Sequence, residues 1–126
     1  IDLLQFEPIK NTHQIIGDFT EEKYKTKIKN YFNNKIDVVV SDMAVNTTGN
    51  KNLDAIVTGE LCMEAMNFAE SILSPKGIFV SKIFMGSSFS EVVAAAKKLF
   101  KEVRLYKPLS SRKDSKENFI ICKFLR

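Results

Sequence analysis

The spacing of hydrophobic positions changes several times along the chain, and each change marks an element. Residues 36–41 (Ile-Asp-Val-Val-Val-Ser) are rich in β-branched side chains and predict a strand. A loop of Asn, Thr and Gly follows over 43–52. Apolar residues at 53, 56, 57, 61, 63, 66, 68, 69, 72 and 73 then predict a long, largely buried helix. Ser74-Pro75-Lys76-Gly77 stops it. The run Gly77-Ile78-Phe79-Val80-Ser81-Lys82-Ile83-Phe84 reads as a buried strand. Ser88-Phe89-Ser90-Glu91 has the spacing of a capping box and opens a helix that runs to about Phe100. Residues 103–107 form a strand, 108–116 a polar basic loop, and 119–124 a last strand.

Nearer the start, residues 1–4 suggest the tail of a strand closed by the turn around Pro8, and 13–16 a short strand ending at Gly17-Asp18. Thr20 is the expected N-cap of a helix to about Phe32, with Glu21 and Glu22 in its first turn.

Strands that alternate with helices predict an α/β fold whose sheet is mostly parallel. The last two strands are joined without a helix, so the final one is expected to run antiparallel. A geometric consequence follows. Asp42 stands at the carboxyl end of its strand, Lys82 lies towards that end of the next, and Glu117 opens the reversed strand. All three are expected at one sheet edge, where open α/β sheets bind ligands. A lysine in an apolar strand costs several kcal/mol unless paired or neutralised, so Lys82 calls for a reason. A lysine between two carboxylates suits proton transfer.

Composition narrows the partners only a little. The chain of 126 residues is one domain at most, and 44% hydrophobic residues suffice for a core. A formal charge of +4 permits a polyanionic partner without demanding one. Cys62 and Cys122 stand far apart beside a single histidine, which argues against a metal site and for reduced core cysteines in a cytoplasmic protein. No apolar stretch is long enough to span a membrane. Lys23, Lys25, Lys27 and Lys29 spread over a helix surface and read as solubilising, and His13, Met63 and Met66 as structural.

The blocks Val-Ser-Asp-Met-Ala-Val-Asn-Thr-Thr-Gly, Phe-Val-Ser-Lys-Ile-Phe and Lys-Pro-Leu-Ser-Ser-Arg-Lys-Asp-Ser-Lys-Glu-Asn-Phe occur in this order. Together they resemble the FtsJ-type ribosomal RNA ribose 2′-O-methyltransferases of the bacterial branch, over essentially the whole chain. The resemblance implies a Rossmann-like class I fold and S-adenosylmethionine as cofactor. It implies methylation of a ribose 2′-hydroxyl, of a uridine, in 23S rRNA of the large ribosomal subunit. Asp42, Lys82 and Glu117 match the second, third and fourth members of that family's Lys-Asp-Lys-Glu tetrad. Lys82 would accept the proton, with Asp42 and Glu117 orienting it. Asp2 resembles the acid that holds the cofactor ribose, and Asp18 the residue at the adenine amine, with Phe19 beside it. The resemblance also implies a place for Asp42 beside the cofactor. Val45 and Phe119 stand where the family commonly has proline and tyrosine.

Lys107, Arg112, Lys113 and Lys116 lie on or beside one loop at the expected active edge, and could neutralise phosphates. The family's glycine-rich cofactor loop and first tetrad lysine have no match in this chain. The expectation is therefore that residues 1–126 are the C-terminal portion of a single methyltransferase domain, without its first strand and inactive alone. The competing reading from another class is a non-catalytic RNA- or ribosome-binding module on the same fold. A methyltransferase for small molecules or proteins would have less use for the converging lysine and glutamate.

Overall fold

Strict alternation along one strand organises the larger part of this chain. In β2 (Leu73–Phe84), Gly77, Phe79, Ser81 and Ile83 are buried, whereas Ile78, Val80, Lys82 and Phe84 are half-buried. Side chains two apart share a face, so the strand has one dry side and one partly open side. The continuous apolar run had suggested burial on both. Lys82 belongs to the open side, and this corrects the expectation of a lysine sealed in apolar surroundings.

The structure, a computed structural model, describes residues 1–33, 35–44, 50–86, 88–108 and 117–126, with the backbone alone at 51 and 52. Val45 and the basic residues Arg112, Lys113 and Lys116 lie outside the described residues. The chain divides into two compact units, Ile1–Asn34 and Lys35–Arg126.

The second unit holds β1 (Ile36–Ser41), α2 (Lys51–Ile72), β2, α3 (Phe89–Leu99), β3 (Phe100–Tyr106) and β4 (Glu117–Leu125). The sheet order is β1-β2-β4-β3. β1 and β2 pair in parallel, and β4 pairs antiparallel with both β2 and β3. Three strands thus share a direction, and the reversed β4 lies between two of them. The sheet is mixed, with one parallel pair, and the last strand is antiparallel as its helix-free connection requires.

The Ser74-Pro75-Lys76-Gly77 turn lies within β2 rather than before it. Ile36 pairs with Leu73, but Val38 pairs with Ile78, so the extra residues bulge out between them. Pro75 and Lys76 are exposed there, where proline's missing N–H costs no ladder bond.

α2 covers the dry face with a stripe at helical spacing: Ala55, Cys62, Ala65, Met66, Ala69 and Ile72 are buried. Val92 and Ala96 of α3, Phe79 of β2, Phe100 of β3 and Ile120 and Cys122 of β4 complete the core. Phe79 and Phe100 stack with ring centroids 6.4 Å apart. At the far end of α2, Lys35 donates to the Ser71 carbonyl at 3.0 Å and caps the helix.

The expected capping box at Ser88 is not formed. Ser88 does precede α3, but its hydroxyl donates to the Ala55 carbonyl of α2 at 3.0 Å instead. This close approach needs Gly59, where a Cβ would stand 2.4 Å from the Ser88 Oγ.

In the first unit, α1 spans Glu22–Tyr31 and buries none of its residues. Its N-cap is Glu21, without a side-chain cap bond, not Thr20. Thr20 is drawn away because Asp18 Oδ1 accepts from both its amide (2.9 Å) and its hydroxyl (2.6 Å). The two short strands expected before it reduce to one parallel bridge, Asp2 with Ile16. The Asp2 amide donates to the Ile15 carbonyl at 3.1 Å, and the Gly17 amide to the Asp2 carbonyl at 2.9 Å.

Candidate active site

The sheet brings Lys82 and Glu117 together. Lys82 lies two residues before the end of β2, and Glu117 is the first residue of β4. Antiparallel register sets Lys82 opposite Phe119 and Phe84 opposite Glu117, so Glu117 is the diagonal neighbour of Lys82 on one face. Their charged atoms, Nζ and Oε1, stand 3.6 Å apart. The side chains are 20% and 37% exposed, so the pair is open to solvent on one side only. A half-exposed ion pair contributes little to stability, about 1 kcal/mol or less. Its placement matters more than its energy.

Asp42 is exposed and follows the last residue of β1. Parallel register aligns Ser41 with Ser81, which carries Asp42 one step on, alongside Lys82. Among the described residues no ion pair joins the two; Lys82 leans towards Glu117. The backbone after β1 is held by a residue the sequence reading passed over. The Ser41 hydroxyl accepts from the Met43 amide at 3.3 Å and so tightens the turn that carries Asp42. A serine two residues before an amide at a strand end is a turn-forming signal and was legible as such.

Asp2, Asp18 and Phe19 lie in the first unit, whereas Asp42, Lys82, Glu117 and Lys107 lie in the second. Asp2 is exposed and its Oδ1 accepts from the Leu4 amide at 3.1 Å. Asp18 gives its Oδ1 to Thr20; the Thr20 hydroxyl and amide hold its carboxyl below the usual carboxylate range. Among the described residues the Oδ2 atoms of Asp2 and Asp18 accept no hydrogen bond. Each acid therefore keeps an oxygen for a hydroxyl or amine donor, which fits a nucleoside with a ribose diol and an amino group. Phe19 is buried, and the Lys25 ammonium lies 5.4 Å from its ring centroid. Lys107 is exposed just beyond β3.

Cys62 and Cys122 are free and buried, as expected of core cysteines. Burial pushes both thiols up, against a hydrogen bond from Ser81 at Cys62 and with the added push of Cys62 at Cys122. Among the described residues no cluster of His, Cys, Asp or Glu is arranged to hold a metal ion. No helix among them is long and apolar enough to cross a membrane.

The helix-backed mixed sheet thus carries a lysine–glutamate pair at its strand ends, and solved structures described as methyltransferases share its fold. Human methyltransferase-like protein 13, solved in complex with SAH, matches 94% of this chain and 52% of its own at a TM-score of 0.64, with 16% identity, a likeness of fold alone. A structure described as a ribosomal RNA methyltransferase from Plasmodium falciparum matches 98% of this chain and 69% of its own at a TM-score of 0.85, with 27% identity.

The FtsJ-like methyltransferase family matches residues 1–125, and the chain belongs to that family. The ribosomal RNA large subunit methyltransferase E of Pelagibacter ubique is 66% identical over all of this chain, which spans 62% of that relative's length. The protein of the same name from Rickettsia akari is 43% identical over 97% of this chain, which spans 54% of its length.

Proposed function

We propose that the protein to which these residues belong transfers a methyl group from S-adenosylmethionine to a ribose 2′-hydroxyl, that of a uridine, in the 23S rRNA of the large ribosomal subunit. The supporting observation is the Lys82–Glu117 pair, 3.6 Å apart at the ends of β2 and β4, in a chain matched throughout by a methyltransferase family. The names of the relatives support large-subunit rRNA as the substrate, and a ribosomal substrate would set the protein in the cytoplasm.

The cofactor, when bound, supplies a methyl group on a sulfonium. A ribose hydroxyl is a poor nucleophile until its proton has somewhere to go. Lys82 would take that proton on its Nζ in its neutral amine form, since an ammonium has no lone pair to offer, while the methyl passes to the hydroxyl oxygen. Glu117 fixes the direction of the Lys82 amine, and Asp42, one register step away on β1, borders the hydroxyl and the cofactor. Asp2 and Asp18 would offer their remaining oxygens to the cofactor's ribose and amine, with Phe19 beside them. Lys107, Arg112, Lys113 and Lys116 would meet phosphates. The chain spans 62% and 54% of the lengths of the two relatives, so this activity is proposed for the whole protein.

The test is transfer of labelled methyl groups from S-adenosylmethionine to unmodified large ribosomal subunits by the full-length protein. Lys82 is only half-buried, so Lys82→Ala leaves the dry core intact, and the rate is expected to fall about a hundredfold or more. Transfer to neither subunits, free rRNA nor tRNA, with RNA binding intact, would instead indicate a non-catalytic RNA- or ribosome-binding module.

A further inference from the structure

Register across three strands places two aromatic residues in line with Lys82. Lys82 of β2 faces Phe119 of β4, and Phe119 faces Tyr106 of β3. Directly opposed residues project from the same face, so Lys82, Phe119 and Tyr106 form one row at right angles to the strands. Strand spacing puts the Tyr106 backbone ~10 Å from that of Lys82, with Phe119 midway. The row lies at the end of β3, near the end of β2 and near the start of β4. It therefore shares the edge that carries Glu117.

This row is not part of the core, which lies on the other face under α2 and α3. Tyr106 is 51% exposed, on the edge strand of the sheet, and Phe119 is half-buried. One half-exposed tyrosine on a surface needs no explanation. A tyrosine and a phenylalanine in register with the lysine at a reacting edge do.

We propose that Phe119 and Tyr106 form a platform on which the base of the target nucleotide stacks, making Tyr106 a positioning residue for the RNA. The inference rests on the reading of Lys82 as the group at the ribose hydroxyl. In a nucleotide the carbon bearing the 2′-hydroxyl is bonded to the carbon bearing the base. A hydroxyl at Lys82 therefore puts the base within a sugar's width of that amine, to one side or the other. On the β1 side stands Asp42, a charged group that offers a base no flat apolar surface. On the β4 side stand two rings. Unstacked RNA bases settle on aromatic side chains, with little discrimination among bases because each has a π-face. Arg104 lies two residues before Tyr106 on the same face of β3, 73% exposed at its side chain and paired with Glu102 at 3.1 Å. It places a cation beside the platform, within reach of a flanking phosphate.

The experiment uses the full-length protein with Tyr106→Ala and Tyr106→Phe and two readouts. One is methyl transfer to unmodified large subunits, resolved into kcat and KM. The other is fluorescence anisotropy of a labelled, uridine-rich single-stranded oligoribonucleotide. Loss of a stacking ring is expected to raise KM and weaken oligonucleotide binding by about tenfold or more in Tyr106→Ala, with the change in KM exceeding that in kcat. Tyr106→Phe keeps the ring and is expected to restore both. Unchanged KM and binding in Tyr106→Ala would overturn the platform while leaving the enzyme reading intact. A Phe variant as defective as the Ala variant would also overturn it, because the hydroxyl and not the ring would then matter. If the parent transfers no methyl groups but binding still depends on the Tyr106 ring, the enzyme reading fails and with it the target-nucleotide platform, leaving an aromatic RNA contact only.

Discussion

The folded protein should shield Cys122 from alkylation by a margin set by its surroundings. Burial in the core, with the neighbouring Cys62 adding to it, pushes this thiol up to about 12 from an ordinary 9.0. Only the thiolate reacts, and at about pH 8 its fraction falls from roughly one in ten to ~10⁻⁴, about a thousandfold. The side chain is also 0% exposed, so reaction needs an opening of the core. The same gap sets an alkaline limit on stability. A group whose folded value lies above its unfolded one stabilises fully below the unfolded value, and loses that contribution as pH climbs from 9.0 towards about 12. Three pH units at ~1.4 kcal/mol each amount to about 4 kcal/mol at the top of that window. The assay is iodoacetamide labelling followed by intact mass, with and without denaturant, beside denaturant melts at neutral and alkaline pH. Cys122→Ala should flatten the alkaline decline. Labelling of Cys122 in the native protein at a rate within about tenfold of the unfolded chain would refute the reasoning.

Two further predictions concern other polar groups. Thr58 is fully buried on α2 and among the described residues its Oγ1 has no hydrogen-bond partner, so Thr58→Val should raise stability by about 1 kcal/mol in a denaturant melt; a loss of that size would reveal a bond to the hydroxyl. Asp18 titrates below its ordinary value because of Thr20, so its contribution is present above the unfolded value and lost as pH falls through the lowered one. Asp18→Asn should weaken the acid-side decline of the thermal midpoint, and an identical acid profile in the variant would contradict this.

Much of the second unit was legible because its elements are long and their partners follow them in the chain. The apolar spacing of α2 and the β-branched run of β1 could hardly be read otherwise. The reversal of β4 followed from a connection too short in apolar residues for a helix. The insertion of β4 between β2 and β3 was not legible, because strand order depends on non-local pairing. Nor was the half-open position of Lys82: a run of apolar residues fixes neither face until the helices have settled on one of them. Thr20 and Ser88 both looked like helix caps, yet each hydroxyl is claimed elsewhere, by Asp18 and by the Ala55 carbonyl. Local hydroxyl chemistry cannot anticipate such competitors. Segments 1–4 and 13–16 read as strands from their apolar residues, but among the described residues one bridge is all they form.

For the site, proximity of Lys82 and Glu117 was deduced from topology, and their 3.6 Å separation agrees with it. Asp42 was expected as a third member; the register carries it alongside Lys82, while the ion pair goes to Glu117. The Phe119–Tyr106 row could not be seen before the register of β3 on β4 was known.

The most direct test of the account is the chemical identity of the product. Large-subunit rRNA is incubated with S-adenosylmethionine and either the full-length protein or its Lys82→Ala variant, then digested to nucleosides and analysed by mass spectrometry. The account predicts a nucleoside methylated on its ribose 2′-oxygen with the parent and almost none with the variant, although the variant still binds the cofactor. Methylation on a base, or undiminished ribose methylation by Lys82→Ala, would contradict it.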